Sequence, residues 1–212
     1  MDTDAALATR LSRDLEAAFP DLVTGHQHRL YTIALRLLGD RRDAEEVAQD
    51  ALVRAFRAMA GYPRDRTATL RLRPWLASIA VNLARNRRRR LDDRRPPNQL
   101  EPMLDAGFDL AGDARQRPEE AANRRDTQRE LAAALLHLTP AVRAAIVLRH
   151  VDGLSVAETA EALGRPEGTV KAQVHRGLRE LRLLLEEPAE TPAPIPTQSR
   201  PARLLPAMEA LR

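Results

Sequence analysis

Three stretches hold side chains whose types and spacing point to chemistry. The first is 155–182. Ser155-Val156-Ala157-Glu158 fits a capping box, in which the hydroxyl caps an amide and the Glu three residues on reaches back. A short helix through Leu163 should follow, with Gly164 at the turn and a second helix opening near Pro166. Ala160 is small where the two helices would cross. Gly164, four later, suits a positive φ, and Val170 points back into the crossing. Val170, Val174, Leu178, Leu181 and Leu185 form the expected apolar stripe. Two helices joined in this way make a helix-turn-helix. The opposite face shows Glu167, Thr169, Lys171, Gln173 and Arg176. In this motif the N-terminal half of the second helix enters a major groove. There Arg and Lys can read guanine, Gln can read adenine, and Thr can touch phosphate or a thymine methyl. The alternative is an ordinary αα-hairpin with a solvated polar face.

The second stretch is Arg85-Asn86-Arg87-Arg88-Arg89-Arg90, which continues to Arg95. Consecutive arginines on a helix project in all directions, so internal carboxylates cannot pair with all of them. A polyanion would bind there with strong salt dependence; a solvated charge run is the alternative. The third stretch is acidic. Asp43, Glu46 and Asp50 are spaced to share a helix face, flanked by Glu45 and Gln49. Such a face can receive a basic protein or simply meet water. A metal is disfavoured, because no His lies at ligand spacing. Phosphate-loop, dinucleotide and nucleophile-elbow motifs are absent, so no catalytic residue and no cofactor are expected.

The elements that must position these groups are helical. Alternation of strand type is nearly missing, whereas Leu30, Ile33, Ala34, Leu37 and Leu38 follow the helical step up to Gly39-Asp40. A second helix is expected from about Asp43, through Val47, Ala51, Val53 and Phe56, to Met59. Gly61 and Pro63 then break the chain. A loop runs to Arg73-Pro74, and Pro74 opens a third helix with Leu76, Ile79, Ala80 and Leu83 inward. Trp75, the only Trp, reads as a core residue or as a stacking platform. Further helices run from about 119 to 187. Aromatics are only 3% and Cys is absent, which excludes a disulfide framework, a thiolate metal site and a cysteine nucleophile. The net charge of +4 conceals a local excess: residues 71–95 alone carry +7. That concentration favours a polyanion partner at one place on the surface, although Arg over Lys with abundant Ala is also what a GC-rich genome encodes. No apolar run approaches a membrane span and no secretory signal opens the chain, so the cytoplasm is the expected location.

The order of these signals is an acidic-faced helix, a Pro-broken loop, a Trp-bearing helix ending in Arg, a linker and a helix-turn-helix. In that order the chain resembles the bacterial sigma-70 family, in its extracytoplasmic-function (ECF) group. The stretches that carry the likeness are HRLYTIALRLLGDRRDAEEVAQDALVRAF at 28–56, RPWLASIAVNLARNRRRR at 73–90 and LTPAVRAAIVLRHVDGLSVAETAEALGRPEGTVKAQVHRGLREL at 138–181. The resemblance implies an all-α chain with region 2 at 10–95, a flexible linker at 96–125 and region 4 at 126–187; the Pro-rich tail at 188–212, read from its composition, extends past the family's usual end. It implies a promoter-specificity subunit of RNA polymerase, not an enzyme, with core polymerase and promoter DNA as partners. An anti-sigma factor is left open. By the same likeness Asp43, Glu46, Gln49 and Asp50 would dock on polymerase. Arg71, Arg73, Asn82, Arg85, Asn86, Arg87 and Arg88 would follow the −10 element, with the loop 61–73 holding an unstacked base. Arg165, Glu167, Thr169, Lys171, Gln173 and Arg176 would read the −35 element. The chain departs from the family at Ala172-Gln173, where Ser-Arg is frequent, at Val142 for Gln, and at Phe56 for Trp. The competing reading is a DNA-binding regulator that uses the helix-turn-helix alone.

Overall fold

The computed structural model describes residues 4–94 and 118–186, and every regular element within them is helical. The expected tail at 188–212, and the linker up to 117, lie outside the described residues.

Local chemistry explains where the first helices start and stop. Helix α1 (Asp4–Arg13) gives way to α2 (Leu15–Leu38) at Asp14, whose carboxylate accepts from the Ala17 amide at 3.0 Å. Gly39 ends α2 at φ +79, a conformation costly for any residue with a Cβ. Asp40 then caps α3 (Arg41–Ala60) by accepting from the Asp43 amide at 2.7 Å. The expected loop after Gly61 instead contains a short helix, α4 (Arg64–Ala68). Helix α5 (Leu72–Arg94) carries Pro74 in its first turn and the arginine run along its second half. Pro20 and Gly25 interrupt the helical pattern in the first half of α2, which together with α1 adds to the helices expected from the sequence.

Helices α2, α3 and α5 pack on one another, and α1 closes over α2 and α4. Leu22, Leu30, Leu72 and Leu76 are wholly buried. Each such leucine contributes about 1.5–3 kcal/mol relative to exposure. Phe56 meets the edge of Phe19 with ring centroids 4.9 Å apart.

The second bundle begins with α6 (Pro118–His137), so residues 118–125, within the span expected to be linker, have helical backbone. Helix α7 (Pro140–Ile146) runs into a π-helical segment, Val147–Val151, where the Asp152 amide donates to the Val147 carbonyl at 2.9 Å. Helices α8 (Val156–Leu163) and α9 (Glu167–Glu186) complete it, with α9 lying against α6, α7 and α8. Arg143 ties the bundle together from inside. Its guanidinium donates to the carbonyls of Leu135 at 2.7 Å, Leu138 at 2.9 Å and Leu136, and across to Leu37 of α2 at 2.8 Å. Burial pushes its pKa down to about 10, so it remains a cation at neutral pH, placed at the carbonyl ends of α6 and α2.

Candidate nucleic-acid and polymerase interfaces

The hairpin of α8 and α9 forms as its sequence demands. The Ser155 hydroxyl accepts from the Glu158 amide at 3.1 Å, and Glu158 accepts from the Ser155 amide at 2.8 Å. The bond from the Ser155 amide first, then one from the Ser155 side chain, with Arg71 adding a smaller part, hold the Glu158 carboxyl below the usual range. Gly164 adopts φ +62, Ala160 and Val170 are buried at the crossing, and the Arg165 amide donates to the Ala160 carbonyl at 3.0 Å.

The buried seam of α9 differs from the expected stripe. It runs Val170, Val174, Gly177, Leu181, while Leu178 and Leu185 are 46% and 47% exposed. Gly177 lies where α9 meets α7 most closely: a Cβ there would come within 2.7 Å of both Val142 Cγ1 and Ile146 Cγ1. A backbone-to-side-chain contact of this kind has no hydrophobic signature, so a stripe drawn through leucines misses it.

The outward face follows from that seam. Thr169, Lys171 and Arg176 are exposed, as is Glu167 in the first turn. Arg165 is half-buried. Gln173 turns toward the protein, with its Oε1 buried and lacking a hydrogen-bond partner, so it sits on the shoulder of the face rather than at its centre. Ala172, His175, Arg176 and Arg179 occupy the centre at three-four spacing. His175 and Arg179 did not enter the candidate set, although their spacing from Val170 would have placed them on this face.

On α5, Asn82, Arg85, Asn86, Arg89 and Arg90 are exposed, and Arg88 is half-buried. Arg87 is different. Its guanidinium grips Asp43 at 2.8 and 2.5 Å and Glu46 at 2.9 Å, and the Asp43 bond is the main reason its pKa is raised. The arginine run is therefore partly neutralised from within, by the acidic helix that packs beside it. Arg71 and Arg73, at the start of α5, are also engaged: Arg71 pairs with Glu158 at 3.0 Å and Glu161 at 2.7 Å, and Arg73 donates to the Asp152 carbonyl at 2.7 Å. Trp75 is half-buried against the first core, tilted at 57° to Tyr62 with centroids 6.2 Å apart. The Arg66 guanidinium lies 3.8 Å over the Tyr62 ring.

The acidic set separates in two. Asp43 is only 9% exposed and Glu46 is half-buried, both turned to Arg87. Asp43 therefore does not share the open face assigned to it, because α5 packs over that side of α3 and supplies the counter-ion. Glu45, Gln49 and Asp50 are exposed. Glu45 and Gln49, with His28, Tyr31 and Leu52, line a shallow hollow of about 290 Å³ between α2 and α3. Among the described residues no cluster of three His, Cys, Asp or Glu side chains could hold a metal.

Comparison with known proteins matches this layout. The family profile "Sigma-70 region 2" covers residues 22–94, and "Sigma-70, region 4" covers 128–181. The RNA polymerase sigma-H factor of Pseudomonas aeruginosa is 31% identical over 82% of this chain and 90% of its own length. The ECF RNA polymerase sigma factor SigW of Bacillus subtilis is 31% identical over 80% of this chain and 90% of its own length. The chain belongs to the ECF group of the sigma-70 family.

SigE of Mycolicibacterium smegmatis is 34% identical over 79% of this chain, which spans 62% of that relative's length. Among solved structures, CnrH in complex with the cytosolic domain of CnrY superposes with a TM-score of 0.62 at 26% identity, over 87% of this chain and 97% of that one. The chain is thus a sigma factor, a non-enzymatic initiation factor whose regions 2 and 4 serve promoter recognition. Most of α2 and all of α3–α5 fall in the region 2 match, and α7, α8 and most of α9 in the region 4 match. No helix among the described residues is long and apolar enough to cross a membrane.

Proposed function

We propose that this sigma factor recruits core RNA polymerase in the cytoplasm and divides promoter recognition between its two halves. The observation that carries this reading is the exposed face of α9, which presents Thr169, Lys171, Arg176 and Arg179 from a capped helix-turn-helix. Thr169, Lys171 and Arg176 read the −35 element in the major groove, flanked by Arg165 and Glu167. Gln173 contributes only after its side chain turns outward. In region 2, Asn82, Arg85, Asn86 and Arg88 follow the −10 element, and Arg71, Arg73 and Arg87 join once freed from their carboxylates. Arg supplies the phosphate neutralisation that promoter opening needs. Polymerase docks on the open side chains of Gln49 and Asp50, with Glu46 beside them and Asp43 as the buried brace behind. CnrH is held by the cytosolic domain of CnrY; a protein inhibitor of the same class is part of this proposal.

Mixing the chain with core polymerase and a promoter library, then sequencing run-off transcripts, tests the reading. A common −35/−10 pair among the transcripts is the expected result. Duplex binding by the chain alone, without transcripts, would instead favour a stand-alone regulator.

A further inference from the structure

A cavity of about 240 Å³ lies where α7 approaches α5 and the end of α2. Its apolar wall comes from Leu37 of α2 and from Val81 and Ala84 of α5, all buried. Every charged side chain on the wall is an arginine: Arg85, Arg88 and Arg89 of α5, and Arg143 of α7. The first three are spaced i, i+3 and i+4, which sets them on one helix face, where like charges repel. Arg85 and Arg89 are exposed and Arg88 is half-buried. The carboxylates that bridge the two bundles lie elsewhere: Asp152 pairs with Arg29, and Glu158 and Glu161 hold Arg71. None of them lines the cavity.

The buried cation on this wall adds to the imbalance. Arg143 is 3% exposed, and its described hydrogen bonds all go to backbone carbonyls. Burial lowers its pKa most, and the charge of Arg88 lowers it further. A positive potential therefore fills a concave, largely apolar space. An inorganic anion would answer the charge and leave the wall uncovered. A neutral apolar molecule would cover the wall and leave the cations unanswered. A single molecule with an anionic head and an aliphatic chain does both.

We propose that this cavity binds a free medium-chain aliphatic carboxylate, with its chain against Leu37, Val81 and Ala84 and its head among Arg85, Arg88 and Arg89. The guanidinium fork suits that head, because it can make two parallel N–H···O bonds to one carboxylate. At roughly 30 Å³ for each water-sized group, the cavity takes a chain of about eight carbons. Octanoate is the matching probe. Bound there, it occupies Arg85 and Arg88, which the proposed function places on the −10 element, so it should lower transcription. That consequence rests on the proposed function; the binding does not.

Calorimetric titration of the full chain tests the site with a series of acids, each kept below its micelle concentration. Affinity should rise from acetate through butanoate to octanoate, at one molecule per chain. It should stop rising at dodecanoate, whose chain outruns the cavity. 1-Octanol, which has the chain without the charge, should bind about tenfold more weakly than octanoate. Arg85→Gln with Arg89→Gln removes two exposed cations from the wall and leaves the core alone; octanoate should weaken about tenfold. Arg90→Gln removes an exposed cation of the same helix that does not line the cavity, and affinity should not change. No saturable binding of octanoate would overturn the site. So would affinity that keeps rising to dodecanoate at several molecules per chain, or an Arg90→Gln loss equal to that of the Arg85/Arg89 pair. Run-off transcription separates the site from the function on which its consequence rests. Saturable binding with undiminished transcripts upholds the site and refutes the placing of Arg85 and Arg88 on the −10 element.

Discussion

A pair of glycine substitutions gives the sharpest check on how α9 is seated. Gly25 lies exposed in α2 and a Cβ added there meets nothing within 4 Å. Gly177 lies in α9, where a Cβ would approach Val142 Cγ1 and Ile146 Cγ1 at 2.7 Å each, and Ile146 Cδ1 at 3.1 Å. In an open helix, Gly→Ala stabilises by about 0.5–1 kcal/mol through backbone entropy. Gly25→Ala should show that gain. At 177 the same gain is opposed by two contacts about 1 Å inside the optimal carbon–carbon separation. Both come from β-branched side chains anchored on buried α7, which have little freedom to swing away. Overpacking of this kind costs about 1–3 kcal/mol. Gly177→Ala should therefore destabilise by about 1–2 kcal/mol. Val142→Ala removes one of the two clashes, so the double substitution should cost at least ~1 kcal/mol less than the two singles added together. Urea unfolding followed by circular dichroism measures all four proteins. If Gly177→Ala stabilises as much as Gly25→Ala, the close α7–α9 contact does not exist and the account of the helix-turn-helix seating fails.

Three further expectations concern single residues. Arg143→Leu deprives four carbonyls of a shared buried donor and should destabilise by about 3–5 kcal/mol, whereas Arg143→Lys, with no fork, should recover only part of this; thermal unfolding reads both. Glu158 has its pKa lowered chiefly by the Ser155 bonds, so its stabilisation is fully present above the ordinary glutamate value and is lost as pH falls through the lowered one, below about pH 4. Glu158→Gln should flatten that acid limb, with a raised pKa by NMR titration as the contrary result. His26 is buried, and its pKa is pushed down chiefly by burial, with Asp4 acting against it at 3.6 Å. Folding must then pay to protonate it, so stability holds above the ordinary histidine value and declines as pH falls below about 6.5; an unchanged slope in His26→Leu would refute this.

Local chemistry made the second bundle legible before any fold was known. A capping box, a glycine at the turn and a small residue at a crossing all act within about four residues, and helical geometry fixes where such neighbours meet. The third helix of region 2 and its arginine run were equally readable, because Pro74 and the Leu76–Leu83 spacing are local signals. Charge alone pointed to a polyanion, since the +7 of residues 71–95 cannot be balanced inside that segment.

Tertiary structure decided what those charges are doing. Asp43 and Arg87 are 44 residues apart, and only the packing of α3 on α5 turns an apparently open acid into a buried counter-ion. Leu178 and Leu185 looked like core, yet α9 meets α7 along Val174, Gly177 and Leu181, because close backbone approach is worth more there than another leucine. Arg29 and Asp152 are separated by 123 residues, and nothing in either neighbourhood announces the other. Short-range patterns specify which elements form, because their energetics are contained in one helical turn. The burial of a charge depends on which distant surface arrives to cover it, and that is settled only when the two regions pack.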